Sequence, residues 1–203
     1  MTSTRTRAVL VALTATAALA LTACGSGDDG AGTAPASHSA AAGATNSADA
    51  HNAQDVSFAQ SMIPHHQQAL EMAGLAVDRG SSAQVRSLAA RIEKAQDPEI
   101  RTMTGWLKAW GEDVPMAGMD HSGHAGMAGM MSDKDMTTLK QAKGTDFDTM
   151  FLTMMVEHHR GAVEMAGTEK AKGSYGPATA MADAIVTAQN AEIKEMNKLL
   201  GKG

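Results

Sequence analysis

The chain has 203 residues, 16 of them Met and only six Phe, Tyr or Trp, and a net charge of −5. That length suits one domain with appendages. An Ala- and Met-rich palette poor in β-branched and aromatic residues favours helices and argues against a β-sandwich, a barrel or a site built on stacked aromatics. No basic patch with interleaved aromatics is present, which argues against nucleic acid as a partner.

Residues 1–23 read as an export signal. Arg5 and Arg7 form a short basic region, and Ala8 to Ala20 is an apolar run of about 13 residues, too short to span a bilayer comfortably. The run ends in Leu21-Thr22-Ala23-Cys24, which looks like a bacterial lipobox. Cys24 is then the site of lipidation, and the protein is expected on the outer face of the cytoplasmic membrane, held by that anchor. Cys24 is also the only cysteine. Lipidation leaves no free thiol and no disulfide, so soft-metal chemistry would fall to methionine sulfur. Residues 24–52 are Gly, Ala, Ser, Thr and Asp with almost no large apolar group, a composition that cannot bury enough surface to offset chain entropy. A flexible tether is predicted, with His38 and His51 solvated.

The remainder, 53–203, is organised by an internal duplication. A shift of 93 residues aligns 55–107 with 148–200 without a gap, and 20 of 53 positions are identical. Phe58, Met62, His65, His66, Ala69, Glu71 and Met72 match Phe151, Met155, His158, His159, Ala162, Glu164 and Met165. Ile92, Gln96, Glu99, Met103 and Leu107 match Ile185, Gln189, Glu192, Met196 and Leu200. In each unit the first group follows spacings of three and four, one face of a helix, and the second forms another such stripe. Asp78-Arg79-Gly80 breaks the first run, and Ser81-x-x-Gln84 reads as a capping box for the next helix. Gly111 and Pro115 end that helix; Gly173 and Pro177 punctuate the second unit. Pro64 and Pro98 fall inside helical stripes opposite Glu157 and Ala191, so they are read as kinks and not ends. A single hairpin cannot cover its apolar face. The predicted fold is therefore all-α, a four-helix bundle made from two duplicated helical hairpins. A short helix from Ser132 to Lys143 returns the chain from a connector, 112–135, to the second unit.

Two constellations carry chemistry. His65 lies at the centre of the inward stripe with Met62 and Met72, and His66 lies about 100° round the helix; Met155, His158, His159 and Met165 repeat the arrangement. Imidazole with thioether suits copper, because thioether favours Cu(I) and imidazole accepts Cu(I) or Cu(II). A methionine stripe at this spacing is equally what core packing produces. Gln96, Glu99, Gln189 and Glu192 are polar residues on stripes that should be apolar. They either hydrogen-bond the free imidazole nitrogens from behind the ligands, or ligate the metal directly, or form a structural polar network between helices. Glu71 and Glu164 lie roughly opposite the inward stripe and have no assigned role. The second constellation is the connector segment with Met116, Met119, His121, His124, Met127, Met130 and Met131. Its glycines oppose a helix, and no period of two or 3.6 explains its methionines. As a set of adaptable soft ligands for Cu(I) or Ag(I) it makes sense.

Asp55-x-x-Phe58-x-x-x-Met62-Ile-Pro-His65-His66-x-x-Ala69-x-Glu71-Met72-Ala73 and its copy, from Phe151 through Met155, His158 and His159 to Ala166, resemble a known group. The sequence is similar to the bacterial "domain of unknown function three hundred and five" family, which includes CopM-like copper-binding proteins. That resemblance covers about residues 52–201. It implies a ferritin-like four-helix bundle, export, and copper binding at Met62, His65, His66, Met72, Met155, His158, His159 and Met165. The function expected is a lipid-anchored protein that buffers, sequesters or hands on Cu(I) or Cu(II), with a copper exporter or another copper protein as its delivery partner. Two alternatives stand beside it. One is a structural or signalling bundle without metal. The other is a ferritin-like metal oxidase, disfavoured because no Glu-x-x-His occurs in the sequence, so an enzyme is not expected.

Overall fold

The computed structural model describes residues 50–80, 82–116 and 127–202. The predicted signal, Cys24, His38 and nearly all of the tether lie outside the described residues, as do Met119, His121 and His124. Five helices and no strands occur among the described residues: α1 Ala53–Arg79, α2 Ala83–Trp110, α3 Asp133–Gln141, α4 Gly144–Lys172 and α5 Gly176–Leu199. None is long and apolar enough to cross a membrane. The four long helices are the duplicated hairpins α1–α2 and α4–α5, and α3 is the short helix of the connector. Pro64 and Pro98 lie within uninterrupted helices. The bundle is all-α, as the periodicity predicts.

Each hairpin is tied to the start of the other. Asn52 and Asp55 form a capping box at the head of α1. Asp55 also accepts from the Ser174 and Tyr175 N–H groups at 3.1 and 3.0 Å, and Asn52 Nδ2 donates to the Lys172 carbonyl at 2.9 Å. Symmetrically, Asp148 near the head of α4 accepts from the Ser82 N–H at 2.9 Å, and Gly80 bridges to Gly144. The tail of α4 therefore lies at the head of α1, and the tail of α1 at the head of α4. The two helices run antiparallel, with the histidine motifs crossing at their middles. This pairing corrects one detail of the sequence reading. The α2 cap is Ser82, whose side chain accepts from the Val85 N–H at 3.3 Å, and not Ser81. The aspartate reaching across from α4 fixes the Ser82 backbone, which local pattern does not show. A second correction concerns His51. It is not solvated but stacks on Trp110 with ring centroids 4.3 Å apart, and Trp106 and Tyr175 complete that aromatic group. The stacked ring removes apolar indole surface from water.

The core is in two parts. One apolar cluster includes Met72, Val85, Leu88, Ile92, Phe147, Phe151, Met155 and Met196. The other includes Phe58, Met62, Ile63, Met103, Leu107, Ala162 and Ile185. Every long helix passes from one cluster to the other, and at each crossing it carries buried polar residues: His65, His66 and Gln68 on α1, Gln96 on α2, His158 and His159 on α4, Gln189 on α5; Asp55, Asp148 and Glu169 are buried at the helix ends instead. A polar layer thus cuts the bundle at mid-height.

Candidate metal centre

The layer centres on His65 and His158. Their rings meet across the α1–α4 contact with centroids 3.8 Å apart and planes inclined at 37°. Both side chains are buried, at 0% and 1% exposure, and all four ring nitrogens lack a hydrogen-bond partner. Burial, reinforced by His66 and His159, pushes the His65 pKa down to about 3; burial and the surrounding imidazoles hold His158 well below the usual histidine range. Both rings are neutral at pH 7, so each offers a lone pair. Each partnerless buried polar group costs about 1–3 kcal/mol, and the lone pairs of this cluster could ligate a soft cation.

The second histidine of each motif is held differently. His66 Nε2 and Glu99 Oε2 are 2.7 Å apart, and His159 Nε2 and Glu192 Oε2 are likewise 2.7 Å apart. In each case the opposite nitrogen, Nδ1, is buried and has no partner. In a neutral ring, a carboxylate accepting from Nε2–H leaves the Nδ1 lone pair free, the arrangement by which carboxylates behind metal-binding imidazoles orient them. Gln96 and Gln189 are buried in the same layer, and their Oε1 atoms have no partner. The four polar residues thus divide: the glutamates fix imidazoles, and the glutamine oxygens stay open.

The methionines divide as well. Met62, Met72 and Met155 are fully buried in the apolar clusters, with Met62 and Met155 three residues before His65 and His158. Met165 is only half-buried and lines a surface groove with Gln54, Ser57, Phe58, Ser61 and Thr168. The repeat therefore does not place it as it places Met72. Of the connector methionines, Met116 is exposed, whereas Met127, Met130 and Met131 are partly buried. Glu71 pairs with Lys140 of α3 at 2.6 Å on the surface, and Glu164 is exposed. Among the described residues, no three His, Cys, Asp or Glu side chains gather as a closed metal cage would require. The donors brought together are imidazoles, with thioethers one turn away.

A site the sequence reading missed lies at the α1–α4 end. Glu169 is fully buried against Asp55. Burial, then the contact with Asp55, pushes its pKa up to about 7. Burial pushes the Asp55 carboxyl up too. The Glu169 carboxyl beside it and hydrogen bonds from the Asn52, Tyr175 and Ser174 N–H groups outweigh that effect and hold it below its usual value. Both Glu169 carboxyl oxygens are buried without a hydrogen-bond partner, which favours the neutral carboxyl.

The chain is similar to several solved structures. A DUF305 protein from Streptomyces coelicolor is 34% identical, with a TM-score of 0.67 over 76% of this chain and 94% of that one. A DUF305 fragment from Deinococcus radiodurans is 33% identical, with a TM-score of 0.66 over 75% and 98%. CopM in its Cu(II)-bound form is 35% identical, with a TM-score of 0.62 over 71% and 94%; CopM structures with Cu(I) and with Ag also match. No curated protein matches. The model of the family described as "Domain of unknown function (DUF305)" matches residues 55–200, and the chain belongs to that family.

Proposed function

We propose that this protein is an exported, lipid-anchored metal binder that buffers, sequesters or hands on copper, taken up as Cu(I) and also held as Cu(II), and that it acts as a carrier and not as an enzyme. The observation that carries this reading is the stacked His65–His158 pair, two neutral buried imidazoles with four unpartnered nitrogens. Two imidazoles with thioethers nearby suit low-coordinate soft cations better than metals that demand carboxylate-rich or tetrahedral cages. One relative at this level of similarity, CopM, is described in Cu(I)-, Cu(II)- and Ag-bound forms. Export draws support from the lipobox-like sequence at Cys24 and from the Streptomyces coelicolor relative, which is described as secreted. In this mechanism the connector methionines collect the cation from solvent and pass it to the buried histidines; weak neutral thioether ligands keep the exchange fast. Anaerobic Cu(I) titration with X-ray absorption on the bound metal tests the reading. At least one Cu(I) per protein with mixed sulfur and nitrogen ligands is expected. No uptake, or a shell of solvent oxygens alone, overturns it.

A further inference from the structure

Gln68 and Gly161 occupy the same position in the two repeats, three residues after His65 and His158. The histidines are identical in both copies, whereas this position is a long amide in one and has no side chain in the other. Both contact the same stretch of connector, Met127–Met131. The Gln68 side chain, 5% exposed, binds both backbone groups of Met131: Nε2 donates to the carbonyl at 2.9 Å, and Oε1 accepts from the N–H at 2.7 Å. An amide satisfied at both ends fixes the register of that segment as well as its position. Gly161 supplies room on the opposite helix, since a Cβ there would collide with the Ala128 carbonyl oxygen and stand 2.8 Å from Gly129 Cα.

Gly129 completes the fit from above. A Cβ on it would lie 2.7 Å from the Glu157 carbonyl oxygen and 2.8 Å from that of His158. Its φ of 81° is the left-handed value that favours glycine, in a turn closed by the Met130 N–H donating to the Met127 carbonyl at 3.2 Å. The backbone of the connector therefore lies directly on the backbone of the histidine motif. Two glycines and one glutamine, all absent from the histidine motif itself, make that approach possible.

We propose that Gln68 and Gly161 are positioning residues that seat Met127–Met131 as a strap over the His65–His158 pair, so that the strap governs entry and release of a soft cation there. The proposal rests on the metal-binding reading above. It assigns the divergence of one repeat position to a single task, holding the connector from both sides. The strap carries the partly buried side chains of Met127, Met130 and Met131, so a cation leaving the pair passes sulfur before reaching water.

Two variants of the full chain test this. Gly161→Ala fills the space the strap needs while raising the helix propensity of α4, so the helix itself is not weakened. Gln68→Ala removes both bonds to Met131. In the metal-free protein, hydrogen exchange at the Met131 amide is expected to lose protection in both variants, with exchange in the interiors of α1 and α4 unchanged. Stopped-flow transfer of Cu(I) to a chromophoric chelator is expected to quicken by about tenfold, the scale of a lost pair of hydrogen bonds, with the amount of bound copper unaltered. If the wild-type protein binds Cu(I) and the variants keep its transfer rate, whether or not Met131 protection is lost, the strap proposal fails alone. If the wild-type protein takes up no Cu(I), the metal reading fails and takes the strap proposal with it.

Discussion

An imidazole buried without a partner weakens a fold, and His65 and His158 together leave four such nitrogens in the core. Leucine at both positions keeps apolar bulk and removes the unmet hydrogen-bonding groups. His65→Leu/His158→Leu is therefore expected to raise the unfolding free energy by about 2 kcal/mol, measured by urea denaturation, while removing the nitrogen ligands that the stacked pair offers Cu(I). A double variant less stable than wild type would show that the pair is kept for packing. Glu169 permits a prediction of the opposite kind, on pH. Its folded pKa of about 7 exceeds its ordinary value of 4.5, so between those values the folded state binds more protons than the unfolded chain. The contribution of Glu169 to stability is complete below pH 4.5, declines as pH rises through 7, and is constant beyond. Glu169→Gln cannot ionise and keeps a donor toward Asp55. It should match the wild type near pH 4.5 and exceed it by on the order of 2 kcal/mol at pH 8; equal midpoints at both pH values would refute the raised pKa. The histidines were legible in the sequence because both copies keep them. Glu169 was not, because its counterpart is Ala76 and its neighbours Lys170 and Lys172 give it the look of a solvated helix end.

Helix ends show how far local pattern reaches. Gly80, Gly111, Gly173 and Pro177 mark the boundaries where the sequence places them: Gly111, left-handed at φ 75°, and Pro177 act on their own backbone, while a Cβ at Gly80 or Gly173 would stand 2.8 Å from the Ala76 or Glu169 carbonyl oxygen. What the pattern could not supply is the reach of Asp55 and Asp148 across to the other hairpin, since that depends on α1 and α4 lying antiparallel. The same blindness moved the α2 cap by one residue, from Ser81 to Ser82. Asn52 joins both kinds of signal. It caps its own helix through Gln54 and Asp55, and its Nδ2 also holds the Lys172 carbonyl and Ser174 Oγ, 2.9 and 2.6 Å away. Asn52→Ala is expected to cost about 1–2 kcal/mol, the upper part of the range for a lost cap, and to loosen amide exchange at Ser174 and Tyr175, more than 100 residues away in sequence. Ordinary cap loss without the distant effect would mean that the two hairpins are joined only by their cores.

At the scale of the whole molecule, the methionine excess divides between two jobs. Met62, Met103, Met155 and Met196 are all fully buried on either side of the polar layer, and packing alone would retain them. Thioether ligation would use Met62 and Met155 as well, and burial cannot separate the two roles. Leucine can, because it conserves volume and removes sulfur: Met62→Leu/Met155→Leu should cost less than about 1.5 kcal/mol per site in the metal-free protein. A ligand that binds the folded chain and not the unfolded one adds RT ln(1 + [L]/Kd), about 2.7 kcal/mol at a free concentration 100 times Kd. For a bundle of this size that corresponds to a rise in Tm of about 5–10 °C. Differential scanning calorimetry of the wild-type protein with Ag(I), which avoids copper redox chemistry, should show that rise, and the double leucine variant should show less of it. A full rise in the leucine variant would assign the thioethers to packing and leave binding to the imidazoles. No rise in the wild type would make the polar layer a structural seam between two halves of a core, the one arrangement in which unpartnered imidazoles are hardest to account for.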